Sequence, residues 1–225
     1  MSDKIDFSTV IASAVHDMKN SLGMLLHSVD ELRTELPDSI RNTDRFNTLQ
    51  YEAQRVHGDL VQLLSIYRLD QKTLSPHIEE QSVAEFLEEQ LARHQPLLDG
   101  MGLEVTLDCQ ADEGYFDANL IAGILNNTIN NALRYTRRHI LVSARHESDY
   151  LVISVQDDGQ GFPEHMQDSP LDTQGSVDFA NGNTQLGLFF ADQVARMHRE
   201  GDRKGFIRLN NTGKLGGGNF ELWLP

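Results

Sequence analysis

The sequence predicts an α+β protein: an N-terminal helical hairpin that forms a dimeric four-helix bundle, followed by an α/β sandwich. Three observations carry this. Apolar residues over the first 70 positions repeat with the spacing of helices packed side by side. After Asp70 the pattern changes to short alternating segments interleaved with amphipathic helices. The 225-residue chain, 39% hydrophobic, is long enough to bury a substantial core, yet no stretch of about 18 apolar residues occurs to span a bilayer.

The elements follow in order. Ile11, Val15, Met18, Leu22, Leu25, Val29, Leu32 and Leu36 alternate in steps of four and three, the seam of a coiled coil or helix bundle. Pro37 and the polar run DSIRNTD break it, and the spacing resumes with Phe46, Leu49, Ala53, Val56, Leu60, Leu63 and Tyr67. Two helices joined so briefly form an antiparallel hairpin, which covers only one side of each. A second copy would complete four helices, so a homodimer is expected. The boundary lies near residues 70–78, giving units 1–72 and 73–225. Ser82 and Glu85 have the spacing of a capping box opening a helix that runs to about Leu98, with Gly100 and Gly102 closing it. LEVTLD (103–108) alternates as a strand, and 118–135 reads as a helix burying Leu120, Ile124, Leu125, Ile129 and Leu133. HILVSARHE (139–147) and YLVISVQD (150–157) form a β-hairpin. A polar stretch from Gly159 to Thr184 is too long for a simple connection. A helix over 185–198 and two strands, GFIRLNN and NFELWLP, close the chain.

Composition excludes several classes of function. With 34 acidic against 19 basic residues, the net charge is −15, the wrong sign for binding a phosphate backbone. The N-terminus MSDKIDFSTV lacks the basic and apolar regions of a secretory signal. One cysteine, Cys109, excludes an intrachain disulfide framework and suits a reducing compartment. A cytoplasmic protein without membrane insertion is expected.

Chemistry could sit in five places. His16, one step off the seam at Val15, faces solvent beside Asp17, with Asn20 one turn on. An imidazole beside a carboxylate can be held in one tautomer while it attacks phosphorus; the alternative is a plain polar helix face. In NNTINNALRYT, Asn127 and Asn131 share a helix face, offering carbonyl oxygens suited to Mg²⁺ that already carries phosphates. Arg134 lies within reach of a phosphate, although an exposed polar face is an equal reading. In DDGQGFP, Asp157 ends a strand where it could accept from an exocyclic amine, and Gly159 and Gly161 permit close approach of the backbone. NTQLGLFF runs into a helix N-terminus, a place favoured by phosphates. KLGGGNFELWLP is a glycine-rich turn, or simply the final hairpin.

Taken in order, these motifs resemble the catalytic core of two-component sensor histidine kinases: a dimerisation and phosphoacceptor hairpin followed by a GHKL ATP-binding domain of the Bergerat fold. HDMKNSL resembles that family's H box, and NNTINNALRYT its N box, with Asp117 ten residues before Asn127. DDGQGFP resembles the first glycine box, NTQLGL the second, and GGGNFELWLP the closing strand. The resemblance implies a kinase that uses ATP and Mg²⁺ to phosphorylate His16, with Asp17 assisting deprotonation, and then phosphorylates a response regulator receiver domain. It implies Asn127 and Asn131 on Mg²⁺, Asp157 on adenine and Arg134 on phosphates. Tyr135 would line the site, and Gly159, Gly161 and Gly187 would shape the loop around it. Asn20 stands where the family places a residue that positions water for dephosphorylating the regulator.

Two features depart from the family. Asn183 and Gln185 replace the first two glycines of the second glycine box. Only 15 residues precede His16, so input is expected from an unidentified partner protein. The first departure keeps a second reading open, a histidine phosphotransferase or pseudokinase that docks regulators without using ATP productively.

Overall fold

The computed structural model describes residues 7–41, 43–167 and 184–225, and the chain divides into two compact units between Leu74 and Ser75.

The N-terminal unit is a pair of long helices, α1 (Phe7–Glu35) and α3 (Asp44–Asp70), joined through a single turn of helix, α2 (Asp38–Arg41). Thr43 caps α3 by accepting from the Phe46 amide. The two halves of the apolar seam behave differently. Val15, Val29, Phe46 and Ala53 are buried between the helices. Met18, Leu25 and Leu32 on α1, with Leu49, Val56 and Leu63 on α3, each spaced by seven, remain exposed. The first set meets across the hairpin, while the second makes a stripe on its outer side. Gln50, also buried, accepts from Arg33 and donates to Asp30 at 2.9 Å, tying the helices at their connected end.

In the second unit, β1 (Glu79–Ser82) leads into α4 (Val83–Met101), β2 (Glu104–Cys109), β3 (Glu113–Phe116) and α5 (Ala118–Tyr135). The hairpin of β4 (His139–Glu147) and β5 (Tyr150–Asp157) follows. Next come α6 (Thr184–Met197), a small ribbon of β6 (Arg199–Glu200) and β7 (Arg203–Lys204), then β8 (Phe206–Asn210) and β9 (Asn219–Leu224). The main sheet has the order β2-β4-β5-β9-β8. Only β2 and β4 run parallel, since α5 crosses between them. One face of the sheet supplies Val142, Ile153 and Leu222, which pack with Leu98, Ile121 and Ile124 of the helices in a fully buried core.

One expectation needs correction, and one pair of strands was not expected. The capping box at Ser82 and Glu85 does not form: the Ser82 side chain makes no cap hydrogen bond. Ser82 is instead the last residue of β1, paired with Glu113, and the first helical amide, on Val83, donates to the Asp112 carbonyl at 3.1 Å. The β1–β3 pair was absent from the sequence reading, because EEQS and EGYF are too short and too polar to announce strands. Their pairing exists because Phe116 buries its ring edge-on against Phe86 of α4 at 5.0 Å.

Candidate nucleotide site

The cleft of the second unit, about 270 Å³, opens between one face of α5, the end of β5 with the segment 160–166, the start of α6 and the start of β9. Its floor is apolar, formed by Ala132, Val155, Leu188 and Phe220.

The α5 helix is set by its N-cap. Asp117 Oδ1 accepts from the Asn119 and Leu120 amides, both at 3.0 Å, and Oδ2 accepts from the His77 amide at 2.8 Å. The Asp117 amide in turn donates to Nε2 of the buried His198, whose Nδ1 lies 2.9 Å from the Val194 carbonyl. That arrangement requires a neutral ring with its proton on Nδ1, and burial accordingly pushes the His198 pKa down. The helix is thus anchored to the end of α6 before it reaches the cleft.

The four asparagines of α5 divide by face. Asn126 turns away from the cleft, its carboxamide 3.0 Å from Nε2 of buried His94, and Asn130 is buried. Asn127 and Asn131, one turn apart, line the cleft. Gly187 at the start of α6 comes so close to Asn127 that a Cβ there would lie 2.1 Å from Nδ2, so any side chain would displace the carboxamide.

Asp157 faces them from the end of β5. Its Oδ1 accepts from the amides of Gly159 at 2.7 Å and Gly218 at 3.2 Å. Among the described residues Oδ2 accepts no hydrogen bond. The glycine preceding β9 leaves room for this, since a Cβ on Gly218 would lie 2.7 Å from Oδ2. The neighbouring Asp158 takes the amides of Arg137, Arg138 and His139. Burial pushes its pKa up, but those amides outweigh this and hold the carboxyl below its usual range. It stitches the α5–β4 connection to the end of β5.

Of the residues expected from sequence, Asn127, Asn131, Tyr135, Asp157, Gly161 and Gly187 line this one cleft. Gly159 does not line it and acts through its amide on Asp157. Arg134 is also absent from the lining; its guanidinium lies over the Tyr135 ring at 5.5 Å. Asn183 lies outside the described residues, as does the side chain of Gln185. Phe162, Met166 and Gly218, which also line the cleft, were not singled out from sequence. Phe162 and Gly218 nevertheless fall within the DDGQGFP and KLGGGNFELWLP motifs read from the sequence. On the hairpin, His16 is half-exposed, its Nδ1 3.4 Å from both Asp17 Oδ1 and Asn20 Nδ2.

The donor set suits a nucleotide. A carboxylate oxygen with free lone pairs can accept from an exocyclic amine, an apolar floor can take the face of a base, and two carboxamides can supply hard oxygen ligands to Mg²⁺ on phosphates.

Comparison with known proteins agrees with this geometry. Residues 116–225 match the family described as histidine kinase-, DNA gyrase B- and HSP90-like ATPase. The second unit thus contains a region that matches that family, and a helical hairpin precedes it in the chain. Sensor protein SrrB of Staphylococcus aureus is 28% identical over 200 residues, covering 84% of this chain and 34% of the relative. The chain therefore spans about a third of the length of the curated relatives it matches. Among solved structures, Acinetobacter baumannii histidine kinase AdeS superposes with a TM-score of 0.59 at 19% identity, over 93% of this chain and 96% of that one. The catalytic domain of histidine kinase ThkA gives 0.55 at 19% identity, over 66% of this chain and 96% of that one. Among the described residues no helix is long and apolar enough to cross a membrane.

Proposed function

We propose that the protein is an ATP-dependent histidine kinase that phosphorylates His16 and passes the phosphoryl group to an aspartate on a response regulator receiver domain. The observation that carries this reading is the meeting, in one cleft, of the Asp157 carboxylate with the Asn127 and Asn131 carboxamides. Asp157 Oδ2 would accept from the amine of adenine, and the two carboxamides would hold Mg²⁺, which would neutralise charge on the phosphates.

At His16, Asp17 and Asn20 approach the same ring nitrogen and favour opposite tautomers. An acceptor at Asp17 holds the proton on Nδ1 and leaves the Nε2 lone pair free. An amide donor from Asn20 requires the lone pair on Nδ1 instead. Asp17 therefore selects the nucleophilic form. Nε2 attacks the γ-phosphorus, the bond to the bridging oxygen breaks, ADP leaves with that electron pair, and the Nδ1 proton passes to Asp17 or water. Asn20 is left the task of orienting water toward a phosphoaspartate docked on this face.

The exposed stripe from Met18 to Leu32 and from Leu49 to Leu63 supports pairing of two hairpins into a four-helix bundle, as it is the half of each heptad seam that one chain leaves uncovered.

Incubation with γ-labelled ATP and Mg²⁺ tests the reading. The parent protein should acquire acid-labile label that His16→Ala lacks. Asn20→Ala should keep the label but clear phosphorylated regulator about 10²-fold more slowly, the usual cost of one lost positioning hydrogen bond. A parent that takes no acid-labile label sinks the kinase reading.

A further inference from the structure

We propose that Asn211, in the turn between β8 and β9, is a positioning residue for nucleotide binding, its carboxamide holding Phe162 and the cleft wall around it. This rests on the nucleotide reading of the cleft. Asn211 Oδ1 accepts from the Phe162 amide at 2.7 Å, and its Nδ2 donates to the Phe162 carbonyl at 2.9 Å. One side chain thus engages both backbone groups of a residue 49 positions away. The segment it holds has few anchors from elsewhere in the chain: Gln167 Nε2 also donates to the Phe162 carbonyl at 2.7 Å, but from within the same segment. The helical turn Glu164–Met166 buries no residue, and Gly161 has φ +79°. A Cβ on Gly161 would lie 2.7 Å from the Asn211 carboxamide, so the chain lies flat against that group.

Asn211 is itself presented by a braced turn. The side-chain oxygen of buried Asn210 accepts from the Thr212 amide at 3.0 Å, the Thr212 hydroxyl at 2.8 Å and Asn219 Nδ2 at 3.0 Å. Gln156 on β5 accepts from the Lys214 amide at 2.8 Å. The far end of the chain of contacts reaches the base site. Phe162 lines the cleft, and its ring edge comes within 3.1 Å of the Cβ position of Gly218, whose amide donates to Asp157 Oδ1. Releasing Phe162 therefore frees a wall of the cleft and loosens the seat of the Asp157 carboxylate together.

The test compares two variants of the full chain with the parent, titrating ATP with Mg²⁺ by calorimetry across a pH series from about 8 to about 4, a range that reaches the carboxyl pKa. Asn211→Ala loses both hydrogen bonds and should bind about tenfold more weakly than the parent at every pH. Asn211→Asp is nearly isosteric. As a carboxylate it accepts from the Phe162 amide but repels the carbonyl, whereas the protonated acid again offers one donor and one acceptor. Its penalty relative to the parent should therefore shrink as pH falls, a response that a merely structural defect in the turn would not produce. Parent-like ATP affinity in Asn211→Ala, or a penalty in Asn211→Asp that stays flat with pH, overturns the proposal while leaving the nucleotide reading intact. A parent that does not bind ATP overturns both.

Discussion

The hairpin and the sandwich solve the same problem, hiding apolar side chains, with opposite success. In the sandwich, Leu98, Ile121, Ile124, Ile153 and Leu222 are fully buried within one chain. In the hairpin, Met18 keeps 57% of its surface exposed, Leu49 52% and Leu32 48%. Two helices can cover only the positions where they meet, whereas a sheet with three helices against it encloses a core. The difference teaches where each unit's stability comes from. The sandwich closes its core within one chain, and the hairpin leaves half of its own folding pattern uncovered.

The largest test of that contrast is a charge in the exposed stripe. Leu25→Asp should convert a dimer to a monomer in light scattering, since burying an unpaired charge costs several kcal/mol. Nucleotide affinity should be unchanged. A dimer that survives the substitution would remove the stripe as the pairing surface. Ile124→Ala should act the other way, lowering the unfolding free energy of the sandwich by about 2–5 kcal/mol with the dimer preserved. If one cooperative transition reports both units, the division into independent cores fails. Asp157→Asn should weaken ATP binding by roughly 1.5–3 kcal/mol, because a neutral amide replaces a charged acceptor. Calorimetry checks it, and the dimer again should not respond.

The smallest effect is a pH dependence of the sandwich's stability. Burial lowers the pKa of His94 and His198, both in the sandwich. Each therefore binds its proton more readily in the unfolded chain, where the ordinary value is about 6.5. Stability is complete above that value and is lost as pH falls below it toward the depressed folded values. Thermal unfolding of the sandwich should weaken from pH 7 toward about pH 5.5, with a shallower slope in His198→Gln. Equal slopes would exclude His198 as a source.

Much of this was legible in the sequence. Helix α5 runs from Ala118 to Tyr135 and the β4–β5 hairpin from His139 to Asp157, the bounds that periodicity indicated. Long amphipathic patterns and a two-residue turn are local signals, and local signals survive in a linear text. The β1–β3 pair was invisible because neither strand is favourable alone. The capping box misled for a related reason: Ser82 and Glu85 have the right spacing, but Ser82 is drawn into β1 by pairing with Glu113, distant in sequence. Among the candidate residues, spacing put Asn127 and Asn131 on one face. It could not separate them from Asn126 and Asn130, whose surroundings come from α4 and the core.

The sequence by itself determined the long helices and strands, the 3.5-residue seam, and the candidate groups for a nucleotide. These depend on residue type and on spacings within one element. Only the tertiary structure decided which half of the seam stays uncovered, that Asp157 keeps one oxygen free, and that a carboxamide from the β8–β9 turn holds Phe162. Each of those depends on residues tens of positions apart meeting at hydrogen-bond or van der Waals distance. Such meetings follow from how sheet and helices pack, which no local pattern records.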